Sequence, residues 1–500
     1  MKGLSTMRDL REKLKGYVEK FNAQDEECFV QAVDNAHAYD WLAAQIPLLE
    51  CPDQALEETY YFRWWTFRKH MKETPAGHIV TEFLPSVFWA GAYNSINCAC
   101  CHHVLEGRWL SDEAGWMKEY IRFWLSRTGN SLSYSSWLAS VVEDYCALRG
   151  DDAFEAECLP GLVSLYESWE EKSLQPCGLF WSDDDRDGME YSVSGPGLRP
   201  TINAYMYGDA MAIARMAKRC GREELAKTYE EKAKRLREKI DAFLWDGDFY
   251  RTIPCEKGKI EQLSERPDVH PDHRVRELVG YLPWYFDMPD AGKEKAFAQL
   301  MDPDGFYAMW GLTTAEQRHP RFMFTHEHEC LWNGPVWPFA TAQTLTAAAR
   351  MLRKHGAAEG FGWEEYRTLL RQYALSHRIQ KDDGTWQMWI DEDMHPYTGD
   401  WIARTELRAD GWKKERGGYE RGKDYNHSTF CDLVLSGLLG IGTDDAGRLD
   451  AKPMIPESWP YFKVEGVTHQ GRKYTVLYDR DGTRYGCGAG VSILPEEEKA

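Results

Sequence analysis

Positive charge is scarce in this 500-residue chain: 60 Lys and Arg stand against 80 Asp and Glu, a net charge of −20. A surface of that sign excludes non-specific binding to nucleic acid or to an anionic membrane. No apolar run approaches the roughly 18 residues of a membrane span. The opening stretch, MKGLSTMRDLREKLKGYVEK, carries charges throughout and lacks the apolar segment of a secretory signal. Together with 13 cysteines, an odd number, this predicts reduced thiols and a cytoplasmic protein. A repeat of fixed period is also missing, which argues against an open solenoid.

Aromatic residues, by contrast, are abundant: 21 Trp, 26 Tyr and 20 Phe. Such loading serves a thick helical core or surfaces that stack on ligands. Apolar residues at helical spacing predict helices over 10–49, 59–71, 112–127, 137–149, 154–171, 202–220, 223–244, 290–300, 335–353, 363–380 and 429–439. They follow one another in pairs with short joints, such as Gly150-Asp151-Asp152 and Cys220-Gly221-Arg222, as antiparallel neighbours do. A long array of helix pairs without a fixed repeat closes into a toroid. After Ile441 the pattern changes, and alternation on both sides of His469-Gln470-Gly471 predicts a β-hairpin. The expected fold is all-α: a helical toroid over residues 1–447, with a lead-in over 1–75, then a small β appendage and tail over 448–500. Residues 252–272 read as a surface excursion and 496–500 as a frayed tail.

The richest stretch for chemistry is Asp382 to Trp401, DDGTWQMWIDEDMHPYTGDW. It combines three consecutive carboxylates (Asp391, Glu392, Asp393) with three tryptophans whose flat faces suit sugar rings. Helices tend to stop just before a proline. Glu392, four residues before Pro396, is therefore expected at the mouth of a helical element, a suitable place for a general base. A solvated acidic loop over buried tryptophans explains the same residues.

Other stretches extend the pattern: PCGLFWSDDDRDGMEYSVSG (176–195), RPTINAYMYGDAMAIARMAKRCG (199–221), Phe243-Leu244-Trp245-Asp246, LWNGPVW (331–337), Asp391 to Gly399, and a late LLGI. In this order they resemble the (α/α)6-barrel glycosidases related to glucosidase I (glycoside hydrolase family 63), trehalase and mannosylglycerate hydrolase. The resemblance implies a six-hairpin toroid and an inverting glycoside hydrolase. It places a general acid at Glu190, where the family usually has Asp, and a general base at Glu392. The Asn-Tyr that follows the base in the family is replaced by Asp393-Met394. Asp187 and Asp185 are rivals for the acid. For inversion the two carboxyls stand about 6.5–9.5 Å apart, with room for a water. An exo-acting enzyme on a short oligosaccharide or glycoside is the expected activity, with an α-glycosidase favoured.

Substrate-binding candidates are Trp89, Tyr93 and Asn94 before an inner helix; Trp181, Asp187 and Arg199; Trp310; Trp332, Asn333 and Trp337; Trp386 and Gln387; and His427. Asn333 doubles as a candidate N-cap for a helix starting at Pro335. No cofactor is expected. Asp183 to Asp185 admit calcium as a minority reading. The run Cys98, Cys100, Cys101, His102, His103, with Cys330 and His326-x-His328 elsewhere, admits zinc, although buried packing explains close-set cysteines as well. Two rival activities stay open. One is a retaining arabinofuranosidase or rhamnosidase type of glycosidase, with or without a zinc-bound cysteine. The other is a sugar isomerase or epimerase using paired histidines. The expected partner is a small carbohydrate, with neither nucleic acid nor membrane, and a homo-oligomer is compatible with the sequence.

Overall fold

The computed structural model describes residues 3–259, 266–325 and 328–497, with side chains from Leu10 onward. Helices dominate: α1 (Gly3–Ala23), α2 (Ala38–Gln45), α3 (Gln54–Lys69), α4 (Cys100–Gly107), α5 (Trp116–Leu125), α6 (Leu138–Arg149) and α7 (Asp152–Ser173). They are followed by α8 (Pro200–Arg219), α9 (Glu223–Phe243), α10 (Leu282–Tyr285), α11 (Pro338–His355), α12 (Trp363–Ser376) and α13 (Ile402–Ala409). Their limits have local causes. Asp53 caps α3 by accepting from the N–H groups of Ala55 and Leu56, and Asp151 caps α7 through Phe154 N–H. Pro200 and Pro338 open α8 and α11, where a missing N–H costs nothing. Gly150 and Gly221, both left-handed, let α6 turn into α7 and α8 into α9 within a few residues.

The helices form a closed ring. Inside it, α4 packs on α6, α6 on α8, α8 on α10, α10 on α11, and α11 on the π-helical turn Leu433–Leu438. The circle closes between that turn and α4. Glu106 of α4 accepts from the backbone N–H groups of Phe430, Cys431 and Asp432 at 2.8, 2.8 and 2.7 Å. One carboxylate thus satisfies three of the donors that every helix start leaves open. Arg108 and Trp109 then donate to Asp432 Oδ1 at 2.6 and 2.8 Å. Outside, α5 packs on α7, α7 on α8, α11 on α12, α12 on α3 and α3 on α1. The inner positions are filled by aromatic rings, among them Trp64, Trp124, Trp137 and Trp284, all buried.

Strands Tyr461–His469 and Arg472–Asp479 pair across Gln470 and Gly471, as the alternation predicted. Both turn residues have positive φ (49° and 71°), the geometry of a tight hairpin. Gly490–Pro495 adds a third strand, and Leu48–Glu50 adds a fourth on the other edge. The sheet therefore joins the two ends of the chain.

Several expected helices are shorter or displaced. The stretch 10–49 is not one helix: α1 stops at Ala23, and α2 starts only at Ala38. Asp25 between them is drawn inward by Lys69 and Lys423, at 2.8 and 2.6 Å. The stretch 363–380 ends as helix at Ser376, because Arg378–Gln380 pairs with Trp386–Met388 as a strand. The expected helix before Pro396 is replaced by a loop, which carries Glu392 between that hairpin and α13. The 252–272 excursion is anchored where Ile253–Pro254 pairs with Gly197–Leu198, and residues 260–265 lie outside the described residues. Glu496 is held by Gly466 N–H and the Thr475 hydroxyl, at 2.7 and 2.9 Å, so the expected fraying does not begin there.

Candidate active site

A cavity of about 680 Å³ opens where loops from distant parts of the chain meet. Glu190 and Glu392 both line it, with Trp89, Trp332, Trp337 and His427.

Glu190 rides on a tight loop. Residues Asp185–Asp187 make one 3-10 turn, and Gly188 reverses the chain at φ 70°. A Cβ on Gly188 would also lie 2.5 Å from Cys98 Sγ, so this position takes glycine on both counts. Trp332 N–H donates to Glu190 O at 3.0 Å and ties the loop to the LWNGPVW segment. The Glu190 carboxyl stays reachable from the cavity while protein surrounds it. Burial pushes its pKa up to about 8, and the carboxyls of Asp185, Glu392 and Glu82 reinforce the shift. A carboxyl of that kind holds a proton at neutral pH, as a general acid must.

Glu392 is buried and tightly held. Arg421 donates to its two oxygens at 2.6 and 2.7 Å, and the Cys330 thiol donates to Oε2 at 2.9 Å. An ionised carboxylate offers about four lone-pair sites. Three are occupied, which leaves one for a water or a sugar hydroxyl. Arg421 also donates to Glu329 Oε1 at 2.5 Å and to Arg416 O at 2.9 Å. Burial opposes its charge, but the Glu392 carboxylate and its neighbours outweigh that and raise its pKa. The flanking acids do not line the cavity. Asp391 accepts from Trp389 Nε1 and from Glu392 N–H, at 3.2 and 3.0 Å. Asp393 caps α13 through Ala403 N–H at 3.1 Å. Of the three consecutive acids, Glu392 alone faces the cavity.

The wall between these carboxyls is aromatic. Trp332 and Trp337 stack at 4.4 Å between centroids with planes 13° apart. Phe88, 75% exposed, stands at the rim with Trp89. Flat apolar faces beside carboxyls suit the face of a sugar ring.

The sequence profile of the mannosylglycerate hydrolase MGH1-like glycoside hydrolase domain matches residues 92–428, which hold both carboxyls and most of the ring. The chain belongs to this family. A solved structure named "Sialidase" is 36% identical to the chain, with a TM-score of 0.85 over 97% of this chain and 43% of its own. The GH78 family rhamnosidase of Bacillus sp. GL1 is 14% identical, with a TM-score of 0.57 over 87% of this chain and 40% of its own. The GH63 mannosylglycerate hydrolase of Thermus thermophilus, solved with glucose, is 13% identical, with a TM-score of 0.51 over 75% of this chain and 98% of its own. The last two likenesses concern the fold alone. The cyclic beta-(1,2)-glucan synthase NdvB of Rhizobium meliloti (strain 1021) is 20% identical over 67% of this chain. The chain spans 12% of the length of that protein.

Within this MGH1-like domain the rival acid Asp185 also lines the cavity, paired with Arg186 at 3.1 Å, while the remaining substrate-binding candidates fall outside it. Asp187, the other rival acid, is saturated. It accepts from Ser135, Ser182 and Arg199 at 2.6, 2.8 and 2.6 Å, and from Thr201. Arg199 is fully buried and bonds Asp187 and Gly195 O, so it braces the Glu190 loop and lies off this cavity. Asn94 staples its own loop by accepting from Val87 N–H and donating to Phe83 O and Pro85 O. Tyr93 points to Phe123. Trp181 donates to Cys255 O at 2.9 Å. Asn333 donates to Phe324 O at 2.7 Å and caps nothing, since α11 begins three residues beyond Pro335. Trp310 and Trp386 pack on each other, 5.6 Å between centroids with planes tilted by 30°, and Gln387 sits in the 386–388 strand.

The cysteine-histidine run diverges. His102 packs between Trp137 and Phe339, while His103 bonds the Tyr120 hydroxyl and Asn426 O. His326 lies outside the described residues. Among the described residues no group of three or more His, Cys, Asp or Glu side chains is placed to hold a metal.

Residues that sequence reasoning missed complete the site: Arg421, Glu329 and Glu82 face the cavity, together with Cys330, read in sequence only as a possible zinc ligand, and Tyr425, read only as a neighbour of His427. An acid inside the apolar stretch HIVTEF was a signal for Glu82; Arg421 gave none. Because Trp386 is off the cavity, Trp386→Ala should change kcat/KM on a short glycoside less than about twofold, in the range of surface substitutions. Trp337→Ala should lower it strongly, and steady-state kinetics on both variants checks the contrast.

Proposed function

We propose that this MGH1-like protein is an inverting, exo-acting glycoside hydrolase on a short oligosaccharide or glycoside, built on a six-hairpin (α/α)6 toroid. Glu190 gives its proton to the leaving oxygen as the glycosidic C–O bond breaks. Glu392 takes a proton from the water whose oxygen forms the new bond to the anomeric carbon. The observation that carries this reading is the pairing of environments in one cavity: Glu190 is held protonated by burial, and Glu392 is clamped by Arg421. Two carboxyls whose surroundings differ in this way divide the acid and base roles. The cavity lining also carries Glu82, Asp185, Glu329 and Glu415, while its arginines, Arg186, Arg416 and Arg421, are each ion-paired. That balance favours an uncharged sugar over a carboxylated one. An α-glycoside is the favoured linkage from the family resemblance.

One observation favours a second reading, a retaining enzyme with a cysteine nucleophile: Cys330 Sγ faces the cavity beside Glu392. Against it, burial and the Glu392 carboxylate push the thiol well above its ordinary pKa, which suppresses the reactive thiolate. One experiment separates the two. Wild type and Cys330→Ala are incubated with a panel of aryl glycosides, and the first-formed anomer is followed by NMR. Inversion, with Cys330→Ala retaining turnover within about tenfold, supports the first reading, since acid–base groups alone carry factors of about 10²–10⁴. Retention with no turnover in Cys330→Ala overturns it.

A further inference from the structure

Glu82 is a further carboxyl of the cavity, and neither catalytic role uses it. It follows the strand Gly77–Val80 and is zipped against the segment that leads into the last inner turn. Asn426 N–H donates to Glu82 O at 3.1 Å, and Asn426 Nδ2 donates to Thr81 O at 3.3 Å. Asn426 O is in turn bonded by His103 Nε2 at 2.6 Å. The backbone at Glu82 is therefore fixed by interior contacts.

Its side chain is 6% exposed and lines the cavity. The Tyr425 hydroxyl donates to Oε1, whereas Oε2 is buried with no hydrogen-bond partner. A buried carboxyl oxygen left unpaired is costly unless something met in function pairs with it. His427 repeats the pattern. Its ring lies 3.7 Å from that of Tyr425 between centroids. It is 2% exposed, it lines the cavity, and both ring nitrogens lack partners. Tyr425 thus backs two cavity-lining side chains that carry buried polar atoms without partners.

The chemistry of the two groups says what they take. Burial raises the Glu82 carboxyl to about 8, with the Glu392 carboxylate adding to the effect, and burial holds His427 well below its ordinary value. With the Tyr425 hydroxyl donating to Oε1, the Glu82 proton belongs on Oε2, the oxygen without a partner. Neutral imidazole has one donor and one acceptor. An uncharged donor beside an uncharged donor–acceptor matches sugar hydroxyls, each of which donates and accepts.

We propose that Glu82 is a glycone-binding residue whose unpartnered Oε2 takes one particular hydroxyl of the sugar, with His427 taking a neighbouring one. The inference rests on the glycosidase reading and deepens it by naming the contacts that choose the sugar.

The test is a cycle between protein and substrate. The probe is whichever 4-nitrophenyl glycoside of the panel wild type cleaves best, together with its monodeoxy analogues, assayed against wild type, Glu82→Gln and Glu82→Leu. Glu82→Leu should lower kcat/KM on the parent glycoside by about 100-fold or more, as sites built to bind a hydroxyl reject its absence strongly. Glu82→Gln, whose amide still donates, should lose about tenfold or less. On one monodeoxy glycoside and no other, wild type and Glu82→Leu should come within about threefold of each other. A loss of equal size on every analogue is what a packing role gives, and it overturns the proposal, as does the absence of loss on the parent. If Glu82→Leu fails to fold by circular dichroism, Glu82→Gln carries the same comparison with smaller factors. If wild type cleaves no glycoside, the hydrolase reading falls, and calorimetric titration with free neutral monosaccharides decides this one. Binding weakened in Glu82→Gln upholds it, and no binding by wild type removes it too.

Discussion

Glu190→Gln is expected to lower kcat by roughly 10²–10⁴-fold, the range that a positioned acid or base contributes, while the protein remains folded. The amide keeps the shape of the side chain and cannot give up a proton. Wild-type kcat/KM should fall as pH rises through about 8, where burial and the Asp185, Glu392 and Glu82 carboxyls place the Glu190 titration; in the variant that alkaline limb should be shallower, with Glu82 alone left to titrate there. Stability carries the same signature. Folding raises the pKa of Glu190 and Glu82 from 4.5 to about 8, so between those values the folded chain holds protons that the unfolded chain has released. Wild type therefore loses stability as pH rises from about 4.5 to 8 and levels off above, since the slope follows the difference in bound protons. Glu190→Gln and Glu82→Gln should each flatten that slope. Melting curves at half-unit pH steps, run beside kcat/KM profiles, check both effects, and an unchanged alkaline limb in Glu190→Gln would reassign the acid.

The largest loss of stability is expected at Arg421. Arg421→Ala removes the shared cation from two buried carboxylates, Glu392 and Glu329. Breaking a buried pair by deleting one partner costs about 3–5 kcal/mol, because the surviving charge is stranded. Glu392 also loses the two donors that aim it, so turnover should disappear even where the variant folds. Arg421→Lys should be intermediate in stability but poor in turnover, since an ammonium cannot hold both Glu392 oxygens in a planar fork. Denaturant unfolding and single-turnover kinetics measure the two effects separately. A midpoint equal to wild type in Arg421→Ala would show that the clamp is dispensable.

How much of this was legible in sequence depends on how local the determining contacts are. Helix periodicity placed α6, α7, α8 and α9 within a few residues of their limits, because caps such as Asp151 and starts such as Pro200 act within one turn. The order of family-like motifs pointed to Glu190 and Glu392, and both line one cavity. The tryptophans at 181, 310 and 386 were misplaced because an indole suits a core, a surface stack and a sugar equally well. Asp187 and Arg199 look like site residues by type and are interior struts, a distinction made only by the partners they find. Glu82 and Tyr425 are 343 positions apart, and nothing short of the closed ring shows that they meet. The sheet failed as a purely C-terminal addition for the same reason: Leu48–Glu50 is too short to announce that it pairs with Val464 and its neighbours.

The Glu106 seal on Phe430, Cys431 and Asp432 has a bearing on biosynthesis. The cavity has no complete wall until the segment around Phe430 docks on α4, more than 300 residues earlier. Glu190, Glu392 and Glu82 come to share that cavity only after residues 425–432 have been released and have docked. Premature termination anywhere upstream of that docking should yield inert fragments, with no graded remnant of turnover.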